Sequence, residues 1–197
     1  MWDERFSSSD FVFGTEPAAF LADAASHLDP GSRVLCVADG EGRNSVFLAG
    51  QGHDVTAFDA SPVGVDKARG LAAERGQDVS FHVSGIEDWD WSQPYDALVA
   101  IFIQFMGPDM RATIFDGFRQ AVRPGGLLLL HGYAPRQVNY GTGGPKAPEN
   151  MYTEDLLRAH FGDWQIVTLR DYDAELSEGK GHSGRSGLVD LVARRPT

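Results

Sequence analysis

Residues 34–44 read VLCVADGEGRN, and the fold turns on how this stretch is understood. An apolar run, 34–37, enters a turn with glycines at 40 and 42, after which Arg43 and Asn44 open a helical pattern. A strand ending in such a turn aims free backbone N–H groups from a helix start, a common seat for an anion. Asp39 and Glu41 stand among these glycines, and they bear on which ligand the turn receives. A pyrophosphate within ~4–6 Å of two carboxylates would be opposed by about 1–4 kcal/mol from each. Ser45 also occupies the place of the third glycine in the dinucleotide pattern G-x-G-x-x-G. A cofactor with a ribose diol and cationic groups but no phosphate meets neither obstacle. S-adenosylmethionine (SAM) has that chemistry, and NAD does not.

The surroundings extend this reading. Asp59 ends a second strand 17 residues beyond Gly42, where an acid commonly binds a ribose diol. The following helix has its own cap and first-turn proline in Ser61 and Pro62, leaving Asp59 free for a ligand. Strand patterns at 33–37, 54–58, 79–83, 97–102 and 127–131 alternate with helical ones at 43–51, 62–75 and 110–122. Single helices between strands imply right-handed crossovers and a parallel sheet. An earlier helix is expected over 16–28, capped by Thr15 and stopped by Asp29-Pro30-Gly31. After a helix near 153–160, strand patterns at 165–172 and 187–193 have only a polar loop between them, which predicts an antiparallel hairpin. The expected fold is α/β: a doubly wound, mostly parallel seven-stranded sheet, Rossmann-like, with one antiparallel strand near the edge. Ligands of such sheets sit at the carboxyl ends of the strands.

Bulk properties narrow the function. The chain of 197 residues is 42% hydrophobic, enough for one domain with a proper core. Its formal net charge of −11, from 28 acidic and 17 basic residues, argues against a nucleic acid or an anionic membrane as partner. One cysteine leaves no internal disulfide. The opening MWDERFSSSD lacks a signal-peptide pattern, and no apolar run is long enough to span a bilayer. A cytoplasmic protein acting on a small molecule is expected, with no metal-ligand pattern; its oligomeric state is not encoded in these features.

The chain resembles the class I SAM-dependent methyltransferases through residues 34–59 and Pro124-Gly125-Gly126. Within them it is similar to the small tellurite-resistance/thiopurine methyltransferase-like branch. That likeness rests on Trp2-Asp3-Glu4-Arg5-Phe6, Phe13-Gly14-Thr15-Glu16-Pro17, Ala38–Asn44, the 140–146 stretch YGTGGPK and the 178–182 stretch EGKGH. It implies one methyltransferase domain over 1–197: a cap segment and helix at 1–30, a SAM-binding core at 31–134, and a lid loop, helix and hairpin at 135–197. The pattern departs from V-L-D-x-G-x-G-x-G, with Cys36 for the strand Asp and Ala38 for the first Gly. Asp39 is therefore a candidate to replace part of the missing acid's electrostatic role.

Candidate cofactor residues are Ala38, Asp39, Gly40, Gly42, Arg43, Asn44, Asp59 and Ala60 around the first two strand ends. Ser84, Gly85 and Ile86 follow the third strand, and Ile101 and Phe102 close the fourth. Gly85 stands where relatives place an adenine-binding Asp, leaving Ser84, backbone groups and Ile86 to receive the ring. Gln104 follows where an acceptor would approach, or bonds backbone in its own loop. His182 and Arg185 are candidate acceptor-positioning residues by the resemblance. No His/Asp dyad or reactive cysteine is evident, which fits methyl transfer by proximity; a thiol or chalcogen oxyanion as acceptor is what the resemblance implies. A SAM-binding regulator without turnover is the alternative.

Overall fold

The computed structural model describes residues 2–197. In chain order the elements are α1 (Trp2–Phe6), α2 (Ala19–Ala24), β1 (Arg33–Val37), α3 (Arg43–Gly50), β2 (Asp54–Asp59), α4 (Pro62–Glu74) and β3 (Ser80–Val83). They continue with β4 (Tyr95–Ile101), α5 (Pro108–Ala121), β5 (Val122–Tyr133), α6 (Glu154–Phe161), β6 (Gln165–Glu178) and β7 (His182–Arg194). One seven-stranded sheet has the order β3-β2-β1-β4-β5-β7-β6. All pairings through β5 are parallel, and β7 runs antiparallel to both neighbours. The expected sheet is thus present, with β7 as its reversed strand beside the edge strand β6.

Strand alternation sorts the core onto the two sheet faces. Leu35, Val37, Leu98, Ala100, Leu128 and Leu130 pack with Phe115, Phe118 and Phe161 from α5 and α6. Val34, Cys36, Val99, Ile101, Leu127 and Leu129 pack with Phe20, Leu21 and Leu48 on the other side. Burying each such leucine contributes roughly 1.5–3 kcal/mol. With helices on both faces, the carboxyl ends of β1, β2 and β4 open together at one rim.

Two elements differ from the sequence expectation. The helix expected over 16–28 is α2 alone, followed by a 3-10 turn at Ala25–His27. Thr15 does not cap it; the chain is pinned instead by the Ala18 N–H donating to Asn44 Oδ1 (3.0 Å). The stretch expected as a polar loop between the last strands is mostly strand. Pairing runs without interruption from Thr168↔Val192 to Glu178↔His182, because alternate residues face solvent on this edge arm and need no apolar pattern.

Candidate active site

A cleft of about 710 Å³ opens over the carboxyl ends of the central strands. Its inner wall is made by the motif turn. Ala38 and Phe102, at the ends of the paired strands β1 and β4, both have left-handed backbones (φ 48° and 56°). A non-glycine residue held there is strained, and such strain collects at ligand sites. Both line the cleft, with Asp39, Gly40, Arg43, Asn44, Asp59, Ala60, Ser84, Gly85, Ile86 and Ile101. Every candidate cofactor residue except Gly42 therefore faces one space. Gly42 acts elsewhere: at φ 89° it begins α3, and a Cβ there would lie 2.6 Å from the Cβ of Ala68 on α4. It lets two helices meet.

The acids of the turn have separate tasks. Asp59 is buried and accepts from the N–H groups of Gly40 (2.9 Å) and Ser61 (2.8 Å). It thereby fixes the turn from below, a task its place in the sequence did not disclose. Asp39 accepts from Ser45 N–H (3.3 Å) and Ser45 Oγ (2.5 Å) at the first turn of α3. Burial, opposed by the Ser45 bond and reinforced by the nearby Asp59 charge, pushes Asp39 up to about 7. Burial also raises Asp59. Glu41 corrects the sequence reading, since it turns away from the cleft. Its Oε2 accepts from Val12 N–H (2.8 Å) and its other oxygen pairs with Lys67. The pair of acids that repels an anion is Asp39 with Asp59.

At the other end of the cleft lie Gln104, Tyr133 and His182. Gln104 is buried with its amide fully spent on the Tyr133 backbone: Oε1 accepts from the N–H (2.6 Å) and Nε2 donates to the carbonyl (2.8 Å). Of its two readings, the backbone bond is the one observed. His182 is sandwiched between Phe13 and Phe102, with centroid distances of 4.5 and 4.0 Å, and its Nδ1 lies 2.5 Å from the Tyr133 hydroxyl. Burial, aided by the charge of Arg43, pushes His182 down to about 3, so the ring is neutral near pH 7. Arg185 is excluded from the cleft. His182 and Ser186 face inward on β7, whereas Arg185 has the opposite parity and pairs on the surface with Asp173 (2.8 Å).

Sequence reasoning missed Tyr133, whereas it had Arg5, Phe6 and the 140–146 loop as candidates to cover the cleft. Tyr133 ends β5 inside the apolar run, where nothing distinguishes it from a core residue. Trp2, Arg5, Phe6 and Phe13 bring the N-terminal segment over the opening, and 143–147 closes it from the far side. A His/Asp dyad does exist, contrary to expectation: His131 and Asp190 are register partners on β5 and β7, 2.6 Å apart, with Arg170 on the outer oxygen (2.6 Å). The pair is wholly buried behind Phe102 and does not line the cleft. No group of His, Cys, Asp and Glu suited to a metal occurs among the described residues.

Two buried carboxyls at the turn and apolar walls at Ile86, Ile101 and Phe102 suit a ligand with cationic centres and a flat ring. The donor set therefore fits SAM. Fold and comparison agree: residues 34–126 match the family model of a methyltransferase domain. This matched segment, just under half of the chain, is similar to a methyltransferase domain, and the fold is the one that SAM-dependent methyltransferases share.

Among known proteins, the ubiquinone biosynthesis O-methyltransferase of Xylella fastidiosa is 37% identical over 102 residues, covering 51% of this chain and 41% of that protein. The probable SAM-dependent methyltransferase TehB of Haemophilus influenzae is 21% identical over 89% of this chain and 61% of its own. The TehB crystal structure superposes with a TM-score of 0.74 at 18% identity over 98% of this chain and 65% of that one. The N-methyltransferase NodS of Bradyrhizobium japonicum, in complex with S-adenosylhomocysteine (SAH), gives 0.74 at 14% identity over 100% and 97%. The chain thus spans only 41% and 61% of the two curated relatives.

Proposed function

We propose that this protein transfers the methyl group of SAM to a small-molecule nucleophile, a thiol or a chalcogen oxyanion. The observation that carries the reading is the pairing of Asp39 and Asp59, two buried acids with raised pKa values, at a strand-end turn within a methyltransferase domain. Such a turn opposes phosphate and accepts a cationic cofactor.

When bound, the cofactor supplies a methyl carbon activated by positive sulfur. An acceptor lone pair aligned with that carbon would take the methyl group, the carbon–sulfur electron pair remaining with SAH. A thiol acceptor loses its proton to solvent beforehand, because His182 at about 3 is a poor base near neutral pH. The chain's own part is alignment and exclusion of water. Gln104 locks the β5 end, while Phe13, Phe102 and Tyr133 hold His182 rigid beside the acceptor space. TehB-like similarity directs the first choice of acceptors.

The test is direct. Purified protein is incubated with SAM and, separately, a thiol panel, selenite and tellurite, while SAH release and methylated product are followed. Product with at least one sulfur or chalcogen acceptor is expected, together with a thermal shift by SAM and SAH and none by NADH. SAM binding without transfer to any member would leave the regulatory reading in its place.

A further inference from the structure

The basic residues of this acidic chain are almost all engaged. Arg43, Lys67, Arg69, Arg75, Arg119, Arg123, Arg136, Arg158, Arg170, Lys180 and Arg185 pair with carboxylates. Arg33, Arg111, Arg194 and Arg195 donate to backbone carbonyls. Among the described residues, that leaves Arg5 and Lys146, and both line the same cleft. In a chain with 28 acidic against 17 basic residues, two cations without a partner are most simply explained by a shared task there.

Their setting says which task. The Arg5 guanidinium lies over Trp2 and Phe13, 5.1 and 5.2 Å from the ring centroids. Phe13 in turn stacks on His182, and the charge of Arg5 reaches both rings of the His182–Tyr133 pair, adding to the lowering that burial gives His182 and opposing the rise that burial gives Tyr133. Lys146 follows Gly143 and Gly144, which pack against the same Tyr133 ring. The cleft's carboxylates, Asp39, Asp59 and Glu87, lie just after β1, at the end of β2 and after β3, and its third cation, Arg43, is neutralised by Glu178 (2.8 Å). Charge is therefore divided within one cavity: negative at the strand ends that form its floor, positive on the two segments that cover it. Phe105, 46% exposed in the cleft lining, adds an unpacked aromatic face at the mouth.

We propose that Arg5 and Lys146 together hold an anionic group of the methyl acceptor. The acceptor is then a small nucleophile with an apolar body and a carboxylate or similar oxyanion apart from the methylated atom. This rests on the methyltransferase reading and narrows it to one substrate class. Each cation comes from a different covering segment, so the bound anion also draws the two segments together across the cleft.

The experiment compares 2-mercaptobenzoate with benzenethiol, which differ by the carboxylate, by calorimetry with and without saturating SAH. The carboxylate is expected to bind about tenfold or more tightly than the neutral thiol, as for a charge-assisted contact. Added salt should erode that advantage, and each of Arg5→Gln and Lys146→Gln should reduce it several-fold. Neither substitution removes an ion pair, and Arg5→Gln gives up only its contact with the Trp2 and Phe13 rings, so thermal unfolding and SAH binding of each variant show that it is folded. Equal affinities, no binding of the carboxylate at millimolar concentration, or an advantage that survives in the double variant would overturn the proposal. Loss of SAH affinity in both variants with the carboxylate preference intact would reassign the cations to the cofactor's own carboxylate, and also overturn it. Failure of SAH to bind the unaltered protein is a separate result: it counts against the methyltransferase reading, while the comparison of the two thiols still reports on the cations.

Discussion

Asp39 is where chemistry and fold meet in a single side chain. Its pKa is raised from 3.8 to about 7, so the folded state binds the proton more tightly than the unfolded chain does. The stability it contributes is therefore fully present below about pH 3.8 and is lost as pH rises through 7. A cationic ligand has the opposite preference, since it favours the ionised carboxyl and expels the proton. SAM affinity should accordingly rise between pH 6 and 8, by roughly three- to tenfold. SAH, lacking the sulfonium charge, should show a smaller slope, and Asp39→Asn should flatten both while weakening SAM binding. Calorimetry across that range checks it; an equal slope in the variant removes Asp39 from the cofactor's electrostatics. Gly42 supplies a purely steric counterpart. Gly42→Ala combines a left-handed backbone with a Cβ 2.6 Å from Ala68, and should cost about 2–4 kcal/mol, read by denaturant unfolding. The glycine was visible in the sequence, but its partner lies on another helix, so only the fold could tell a ligand contact from a packing contact.

At the scale of elements, the N-terminal segment is tied down by the turn it covers. Lys67 on α4 pairs with Glu41 and donates to the carbonyls of Ser8 (3.0 Å) and Asp10 (2.8 Å), while Glu41 takes the Val12 N–H. Lys67→Met would leave the Glu41 carboxylate buried without its counter-charge, at a cost of about 2–4 kcal/mol. Amides of residues 6–14 should then exchange faster by hydrogen–deuterium exchange, while those of β1 hold. Unchanged exchange in the segment would mean that its packing through Phe6 and Phe13 suffices. This latch explains what could and could not be read in advance. Local apolar periodicity located β1, β2, β4 and β5, because these strands are largely buried on both faces. The last hairpin shows the opposite: β6 alternates on an exposed edge, so its polar half looked like loop. Glu41 sat in the motif that was read first, yet its partners stand 29 and 26 residues away, beyond any local pattern. A still longer separation, 59 residues, hid His131 and Asp190, joined only by strand register.

Over the whole molecule, the cofactor space is enclosed by segments drawn from both halves of the chain. The sheet rim supplies the floor, residues 2–13 one wall, and 143–147 with 181–182 another. The N-terminal wall is latched by Lys67 and Glu41, whereas the 143–147 side is held by Gln137 donating to Thr142 Oγ1 (2.9 Å) and the Gly143 carbonyl (3.1 Å). Ligand occupancy should thus tighten the molecule as well as stabilise it. A ligand bound only to the folded state at one hundred times its dissociation constant adds about 2.7 kcal/mol, and for a chain of this size that raises Tm by roughly 5–10 °C. SAH at that excess should produce such a shift and, at the same time, slow trypsin cleavage after Lys146, whose loop then closes on an occupied cleft. The two measurements separate binding from closure. A Tm shift with unaltered cleavage would leave the cofactor in place and make 143–147 an ordinary surface connection. Protection that grows further when 2-mercaptobenzoate joins SAH, and not when benzenethiol does, would connect closure to the charge on the acceptor, because Lys146 then has an anion to meet.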